Sequence, residues 1–376
     1  MRIAVNTRLL VHDKLDGMGW FTFETLKRIT VMHPEHEFFF FFDRKPASEF
    51  RFPKNVHSVV LFPPARHPVL WYLFFEFSVP HAIRKCKADI FLSTDGWIPL
   101  KCTVPTLNVI HDLNFEHHPD FLKASHRRYF RRFFPKYARN ATRLATVSEF
   151  SRNDIAGTYS VPEEKIDVVY DGAHSHYHPY GEDAKKAIRE QYTSGFPYFI
   201  FIGTILKRKN LTHLFLAFDK FKEKDCTGTK LLVVGNKKWW KGEIEDTYLA
   251  MKHKGDVVFA GHVEAEILGQ MLSGAVALAY ISYFEGFGIP ILEAFNAETP
   301  VITSNVTSMP EVAGDAALLV SPNSTEEICS ALKKIANSPQ LAGELVEKGK
   351  IQRGKFSWDR TASLLWQSLL KTTGKQ

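Results

Sequence analysis

The feature that most constrains the fold is an alternation of short apolar runs with longer amphipathic stretches along the chain. Short apolar runs are typical of strands buried on both faces of a parallel sheet, and the amphipathic stretches are typical of the helices that cover such a sheet. The first series of predicted strands comprises Arg2–Asn6, Glu37–Phe42, Ser58–Phe62, Ile90–Ser93, Pro105–Ile110, Arg143–Val147 and Ile166–Val169. Predicted helices between them include Phe21–Val31, Trp71–Arg84 and Ser125–Tyr137.

A second series of the same kind begins after a linker at Tyr170–Gly181. Its predicted strands are Tyr198–Ile202, Lys230–Val234, Val257–Phe259, Val276–Ile281, Pro300–Thr303 and Ala317–Val320. Its predicted helices include Thr212–Lys224, Glu264–Ser273, Pro290–Asn296 and Thr325–Asn337. Two such series predict an α/β chain of two doubly wound, Rossmann-like domains. Ligands of these sheets bind beyond the carboxyl ends of the strands, so we expect a shared central cleft.

Composition narrows the class of protein. The chain has 376 residues, enough for two domains, and no apolar stretch of ~18 residues that would span a bilayer. Its start, Met1–Asn6, reads directly as a strand, which argues against a signal peptide. Cys86, Cys102, Cys226 and Cys329 lie far apart, without the paired spacing of a zinc site or a disulfide framework. We therefore expect a cytoplasmic protein with reduced cysteines.

The segment Glu285-Gly-Phe-Gly-Ile-Pro-Ile-Leu-Glu293 follows an apolar run and opens a predicted helix. The first backbone N–H groups of a helix have no intrahelical partner, so a glycine-rich turn at that point builds an anion site. Glu285 and Glu293 would flank the anion and accept hydrogen bonds from hydroxyl groups. The expected ligand is a phosphate flanked by polyols, such as a nucleotide sugar. The alternative is structural, because Glu293 would lie in the first turn of the helix, where a glutamate also favours the positive end of the helix dipole.

Four other segments point toward the same anion. Asp16-Gly-Met-Gly-Trp20 is a glycine-rich turn before the first helix, and Gly203–Asn210 carries three consecutive cations, Lys207, Arg208 and Lys209, after a strand. Fixed cations of this kind can neutralise a diphosphate, although a solvated charge run is the alternative. His111-Asp112 is a titratable pair or a capping pair at the end of a strand, and Met309–Ala317 is a turn expected beside the Glu285 loop.

Together these residues resemble the retaining GT-B glycosyltransferases, specifically the family 4 group with its mannosyl- and glucosyltransferases of cell-surface polysaccharide assembly. The segment from Glu285 to Glu293 carries most of the resemblance. Thr299–Ser304, Pro310–Ala317, Arg208-Lys209-Asn210, Val147–Arg152 and Phe356–Asp359 also match. The resemblance implies an acceptor domain over residues 1–175, a nucleotide-sugar domain over 176–355, and a last helix over 356–376 that crosses back to the first domain.

The resemblance also implies roles for individual residues. Arg208 and Lys209 would hold the donor diphosphate, Glu293 the ribose, Glu285 the transferred sugar, and His111 would face the sugar and acceptor. Thr204 departs from the family, where many members have arginine at this position; Arg208 would supply that charge. The remaining expected donor-binding residues are Gly17, Gly19, Gly203, Thr204, Gly235, Val263, Gly286, Phe287, Gly288 and Ile289.

The expected reaction moves a hexose from GDP-mannose or a UDP-hexose to a glycan or lipid-linked glycan. No Asp-x-Asp motif is present, so fixed cations would replace a metal and no cofactor is expected. No carboxylate nucleophile is evident, and the resemblance suggests same-face transfer in which the leaving phosphate helps to deprotonate the acceptor. A nucleotide-sugar epimerase of the same fold is the main alternative.

The net charge of +7 is concentrated in one segment. Lys123–Arg143 holds eight basic residues and no acidic one. Phe130, Phe133, Phe134 and Tyr137 recur there at helical spacing, which indicates either core packing or a docking surface for anionic lipid. We expect Pro135 to kink or divide this helix. A basic scaffold or nucleic-acid binder is a further alternative, but it leaves the paired glutamates and cations unexplained, so no nucleic-acid partner is expected.

Overall fold

A computed structural model of the chain describes residues 1–11, 15–225, 227–237 and 240–374. It divides into two compact units, the first comprising Met1–Asp171 with Ser357–Gln376 and the second Gly172–Phe356. Cys86, Cys102 and Cys329 carry free thiols, whereas Cys226 lies outside the described residues. Among the described residues, no helix is both long enough and apolar enough to cross a bilayer.

The first unit is built on a parallel sheet of seven strands. In chain order they are β1 (Arg2–Asn6), β2 (Glu37–Phe42), β3 (Val56–Val60), β4 (Ile90–Ser93), β5 (Thr106–Val109), β6 (Arg143–Thr146) and β7 (Ile166–Val168). Their spatial order is β3-β2-β1-β4-β5-β6-β7, with every neighbouring pair parallel. The order reverses direction between β1 and β4, which is the arrangement of a doubly wound sheet.

Helices cover this sheet. They are α1 (Gly17–Met32), α2 (Pro68–Leu73), α3 (Val79–Lys85), α4 (Asn114–His117), α5 (Ala124–Asn140), α6 (Glu149–Tyr159) and, from the end of the chain, α15 (Trp358–Thr373). A π-helical turn at Phe74–Ser78 joins α2 to α3, so the helix predicted over Trp71–Arg84 is one rod with an irregular centre. Helix α15 packs on α1, where Trp366 stacks on His33 with ring centroids 3.7 Å apart.

The second unit repeats the plan with six parallel strands. They are β8 (Tyr198–Ile202), β9 (Lys230–Val234), β10 (Val257–Gly261), β11 (Ala277–Tyr280), β12 (Val301–Ser304) and β13 (Ala317–Val320). Their spatial order is β10-β9-β8-β11-β12-β13. The covering helices are α7 (Glu182–Thr193), α8 (Leu211–Lys222), α9 (Glu243–Ala250), α10 (Ala265–Ser273), α11 (Ile289–Asn296), α12 (Met309–Ala313), α13 (Thr325–Asn337) and α14 (Pro339–Arg353). The predicted fold class of two doubly wound α/β domains is confirmed.

The five consecutive phenylalanines, Phe38 to Phe42, lie on β2 and are all buried. Strand β2 lies between β1 and β3, so side chains on both of its faces meet covering layers. The covering layers of the sheet therefore bury the aromatic rings of this strand.

The structure of helix α5 shows whether its aromatic residues pack in the core or form an exposed docking surface. Tyr129, Phe134 and Tyr137 are buried in the core of the first unit, and Phe130 and Phe133 pack against that core. The helix continues as one element through Pro135, so of the two expected effects, a kink or a division, the division does not occur. The aromatic stripe is core, and the basic residues of α5 lie on its solvent side.

Candidate functional site in the second unit

The loop after β11 is held in a defined shape by backbone and hydroxyl contacts. The Ser308 hydroxyl donates to the carbonyls of Glu285 and Phe287, at 2.9 Å each. Gly288 has a φ of +107° and precedes α11, whose second residue is Pro290. Proline fits there because the first helical N–H groups lack intrahelical partners, and glycine tolerates the left-handed backbone. The predicted glycine-rich loop followed by a helix is therefore present.

The buried carboxylate of Glu285 contacts Arg208 and Lys209, the two cations that were predicted to bind the same anion. Its Oε1 accepts from Lys209 Nζ at 2.7 Å, and its Oε2 pairs with Arg208 Nη1. Arg208 Nη1 also donates to the carbonyl of Phe284 at 2.7 Å, and Lys209 Nζ contacts the Tyr280 hydroxyl at 2.6 Å. The buried Glu285 and the partly buried Arg208 and Lys209 form a cluster, called here the cation–carboxylate cluster.

The charge of Glu285 is set by these neighbours. Burial alone would raise the pKa of its carboxyl, but the charges of Arg208 and Lys209 outweigh burial and lower the pKa from 4.5 to about 2. Glu285 is therefore ionised throughout the physiological range. Two cations against one buried carboxylate leave a net positive charge at the cluster, which suits a diphosphate.

Glu293 lies in a different environment eight positions along the chain. Helix α11 begins at Ile289, so Glu293 lies in its second turn and not in the first turn as predicted. The helix dipole therefore explains it less well than the sequence suggested. Burial raises the pKa of its carboxyl to about 7, and the nearby Tyr177 hydroxyl and Lys209 charge offset only part of this effect. Among the described residues no cation forms an ion pair with Glu293, so it is a buried acid with a raised pKa, of the kind that is often found at functional sites.

Glycines mark the carboxyl ends of the strands beside the cluster. Gly203 follows β8 and Gly235 follows β9, each with a φ of +143°. A Cβ atom on Gly235 would lie 2.0 Å from the carbonyl oxygen of Gly203, so no larger residue fits. The Lys209 side chain passes over Gly203, whose added Cβ would meet Lys209 Cε at 3.6 Å. Because these two residues have no side chains, the carboxyl ends of β8 and β9 can lie close together, and the Lys209 side chain can approach Gly203.

The Lys207–Lys209 turn orients its three cations differently. Lys207 pairs with Glu243 at 3.2 Å on the exposed surface, which is the solvated position that the sequence offered as the alternative for these cations. Asn210, at a φ of +56°, caps α8 and donates to the carbonyl of Pro322 at 2.7 Å. This buried amide fixes the turn that directs Arg208 and Lys209 inward.

Five other residues that were predicted to bind the donor lie in this unit, namely Thr204, Val263, Gly286, Phe287 and Ile289. The Phe287 side chain is buried against Phe356, with ring centroids 5.6 Å apart, so only its backbone is available to a ligand. Gly286 precedes Phe287 on the loop, and Ile289 is the first residue of α11. Thr204 and Val263 are half-buried, following β8 and β10 respectively. The predicted turn at Met309–Ala317 begins with the short helix α12, directly after Ser308.

Predicted residues of the first unit

Gly17 and Gly19 form the first turn of α1, and not a turn ahead of it as predicted. Asp16 caps this helix, because its Oδ1 accepts from the Gly19 amide at 3.0 Å. One of the first amides is thereby satisfied.

His111 is half-buried at the end of β5. Its Nε2 lies 2.9 Å from the carbonyl of Thr94, which can only accept, so Nε2 carries a proton. Burial lowers the pKa of His111, which favours the neutral ring and leaves Nδ1 as an acceptor. Asp112 instead accepts from the backbone amide of Asn114 at 3.0 Å and acts as a turn cap, one of the two predicted roles.

Sequence reasoning missed a second polar cluster at the ends of β1 and β4. Arg8 Nε pairs with Asp95 Oδ2 at 2.7 Å, and Asn6 Nδ2 donates to Asp95 Oδ1 at 2.7 Å. The Arg8 guanidinium also lies 4.2 Å from the ring of Trp97. In the second unit, Tyr177 and Tyr280 were missed in the same way. No local spacing marks these residues, since each partner is distant in sequence.

No group of three or more potential metal ligands occurs in the described ranges.

Two protein-family models match consecutive parts of the chain. Residues 16–176 match the model described as glycosyltransferase family 4, and residues 184–352 match the model described as glycosyl transferases group 1.

Curated relatives and solved structures agree with these models. The O-antigen chain mannosyltransferase B of Escherichia coli is 26% identical, over 92% of this chain and 93% of its own length. The O-antigen chain mannosyltransferase RfbU of Salmonella typhimurium is 29% identical, over 72% of each chain. The sucrose-phosphate synthase of Thermosynechococcus elongatus superposes with a TM-score of 0.80 at 17% identity and covers 100% of both chains. The last comparison shows the fold, which is of the GT-B type. This chain belongs to the glycosyltransferases, with a family 4 domain followed by a group 1 domain.

Proposed function

We propose that this glycosyltransferase moves a hexose, with mannose the first candidate, from a nucleotide sugar to a saccharide or lipid-linked saccharide during synthesis of a cell-surface polysaccharide. The observation that carries the proposal is the cation–carboxylate cluster of Arg208, Lys209 and Glu285. The names of the two mannosyltransferase relatives support mannose, and therefore GDP-mannose before a UDP-hexose.

Arg208 and Lys209 would bind the diphosphate of the donor. As the bond between sugar and phosphate breaks, negative charge grows on the leaving diphosphate, and cations already in place stabilise it without reorganisation. Glu285 holds both cations in position before the donor arrives. In this proposal the fixed cations take the place of a metal ion, and the enzyme needs no cofactor.

Glu293 and Glu285 would each bind a different part of the donor, the ribose and the transferred sugar respectively. Glu293 would accept hydrogen bonds from the ribose hydroxyls, and these bonds would be strongest when its carboxyl is ionised. Glu285 would accept from the hydroxyls of the transferred sugar while remaining paired with its cations. Backbone amides of Gly286, Phe287, Gly288 and Ile289 would support the sugar and diphosphate, and Gly203, Thr204, Gly235 and Val263 would line the donor site.

His111, Gly17 and Gly19 would act from the first unit. The neutral ring of His111 would face the sugar and the acceptor, and the amides at the start of α1 would meet the phosphates. The transfer would proceed with retention, the leaving phosphate taking the proton of the acceptor hydroxyl. We place the enzyme in the cytoplasm, peripheral to the inner face of the membrane, with the basic segment Lys123–Arg143 toward anionic lipid and no nucleic-acid partner.

A panel of nucleotide sugars tests the proposal. A true donor should raise the melting temperature and be hydrolysed slowly without acceptor, GDP-mannose more than UDP-glucose. Formation of an epimer from the nucleotide sugar alone would instead favour the epimerase alternative. Proton NMR of the product anomeric centre, with added acceptor, reports retention, and unchanged turnover after treatment with EDTA is expected if no metal takes part.

A further inference from the structure

The helical rod from α2 to α3 has an apolar surface that faces solvent. Val69, Tyr72, Leu73 and Phe77 are spaced three and four residues apart, so they share one side of the rod. All four are exposed, Phe77 with 61% of its surface accessible. Phe62, which is 82% exposed, adjoins the rod because the Ser78 hydroxyl bonds to its carbonyl. These five residues are called the apolar face.

The opposite side of the rod is buried in the core of the first unit. Trp71, Phe74 and Phe75 point into the core of the first unit, so the apolar face is not needed for packing there. Most large hydrophobic residues of the described ranges that are exposed elsewhere lie singly or in pairs, whereas five fall between residues 62 and 77. A concentrated apolar patch that is exposed on a folded unit indicates an interaction surface.

Cations adjoin this patch. The Tyr72 ring lies 5.9 Å from Phe133 of α5, and Arg132 and Lys136 each lie 5.7 Å from the same Phe133 ring. Arg128, Arg132 and Lys136 follow one another at four-residue spacing and form a cationic stripe on the exposed side of α5. Among the described residues no carboxylate pairs with the stripe, in contrast to Arg127 and Arg131, which pair with Asp120 and Glu116.

From this juxtaposition we propose that the apolar face enters the interfacial layer of an anionic bilayer while the cationic stripe contacts the lipid headgroups. Aromatic and aliphatic side chains beside unpaired cations match both layers of such a membrane. A symmetric second copy fits less well, since it would bring a second cationic stripe toward the first. The inference extends the proposed function, because a lipid-linked acceptor would lie at the same surface.

The test uses the full-length protein with vesicles of phosphatidylcholine alone or mixed with phosphatidylglycerol. The wild type should sediment with the anionic vesicles and much less with neutral ones. The double variant Leu73→Ser/Phe77→Ser should bind anionic vesicles roughly tenfold more weakly. The triple variant Arg128→Gln/Arg132→Gln/Lys136→Gln should lose on the order of a hundredfold. Ile351→Ser, at a residue 75% exposed in the second unit, is the matched control and should bind as the wild type does.

Two further measurements separate this inference from its alternatives. Circular dichroism and the melting shift with nucleotide sugar should be unchanged in every variant, since none of these residues belongs to the donor site. Vesicle binding that survives in the double variant, or a wild-type dimer in solution that the double variant converts to a monomer, would overturn the proposal. Vesicle binding without any response to nucleotide sugars would instead leave the docking surface intact and refute the proposed function.

Discussion

Replacing Glu293 by glutamine should stabilise the free protein while weakening its binding of nucleotide. Burial raises the pKa of Glu293 from 4.5 to about 7, so the folded protein holds a proton that the unfolded chain releases. Above pH 7 the carboxyl must be ionised inside the fold, at a cost of about 3 kcal/mol for a shift of this size. Glutamine avoids that cost.

The sign of the pH dependence follows from the raised pKa. The cost of Glu293 is absent below the unfolded pKa, grows as pH rises from 4.5 to about 7, and is complete above that value. The Glu293→Gln variant should therefore match the wild type near pH 4.5 and exceed it by about 3 kcal/mol near pH 8. Burial is nearly complete at this position, so solvent does not screen the effect.

Urea unfolding of wild type and variant at these two pH values measures the difference, and calorimetry isolates the transition of the second unit. The melting shift produced by a nucleoside diphosphate serves as the functional readout, and it should shrink in the variant because ribose recognition is lost. Tyr177→Phe is the matched control, since it leaves the carboxyl but removes one neighbour. A variant less stable than the wild type near pH 8 would refute the reasoning.

Three other changes test the same unit. Lys209→Ala should lower turnover by roughly two or more orders of magnitude with an unchanged circular dichroism spectrum, and wild-type activity would contradict the role of the cluster. Glu285→Gln should lower the free energy of unfolding at neutral pH by about 3 kcal/mol, because Arg208 and Lys209 lose the carboxylate with which both pair. The depressed pKa means that this difference should vanish as pH falls from 4.5 to about 2 in urea titrations; a constant difference would exclude the ion pairs. Gly235→Ala should destabilise the second unit by more than roughly 2 kcal/mol in urea unfolding, because its Cβ would overlap the Gly203 carbonyl, whereas Gly255→Ala, with open space, should not.

Much of the fold could be predicted because buried parallel strands leave a strong local pattern. The run Phe38–Phe42 needs a covered sheet, and the observed strand β2 begins and ends within one residue of it. The helix predicted over Ser125–Tyr137 was extended but not broken, since packing of Phe134 and Tyr137 into the core outweighs the hydrogen bond lost at Pro135. The apolar pattern of the sequence therefore predicts an element well where the buried residues are neighbours along the chain.

In the candidate site, too, some features could be predicted from the local sequence and others could not. The sequence by itself determined that Glu285, Glu293, Arg208 and Lys209 follow strand ends, since glycines and apolar runs mark those positions. Only the tertiary structure decided that both cations pair with Glu285, that Lys207 turns away to Glu243, and that Glu293 stands apart as a buried acid. The physical reason is that charge interactions depend on distance and burial in space, and neither quantity is encoded in the spacing of residues along the chain.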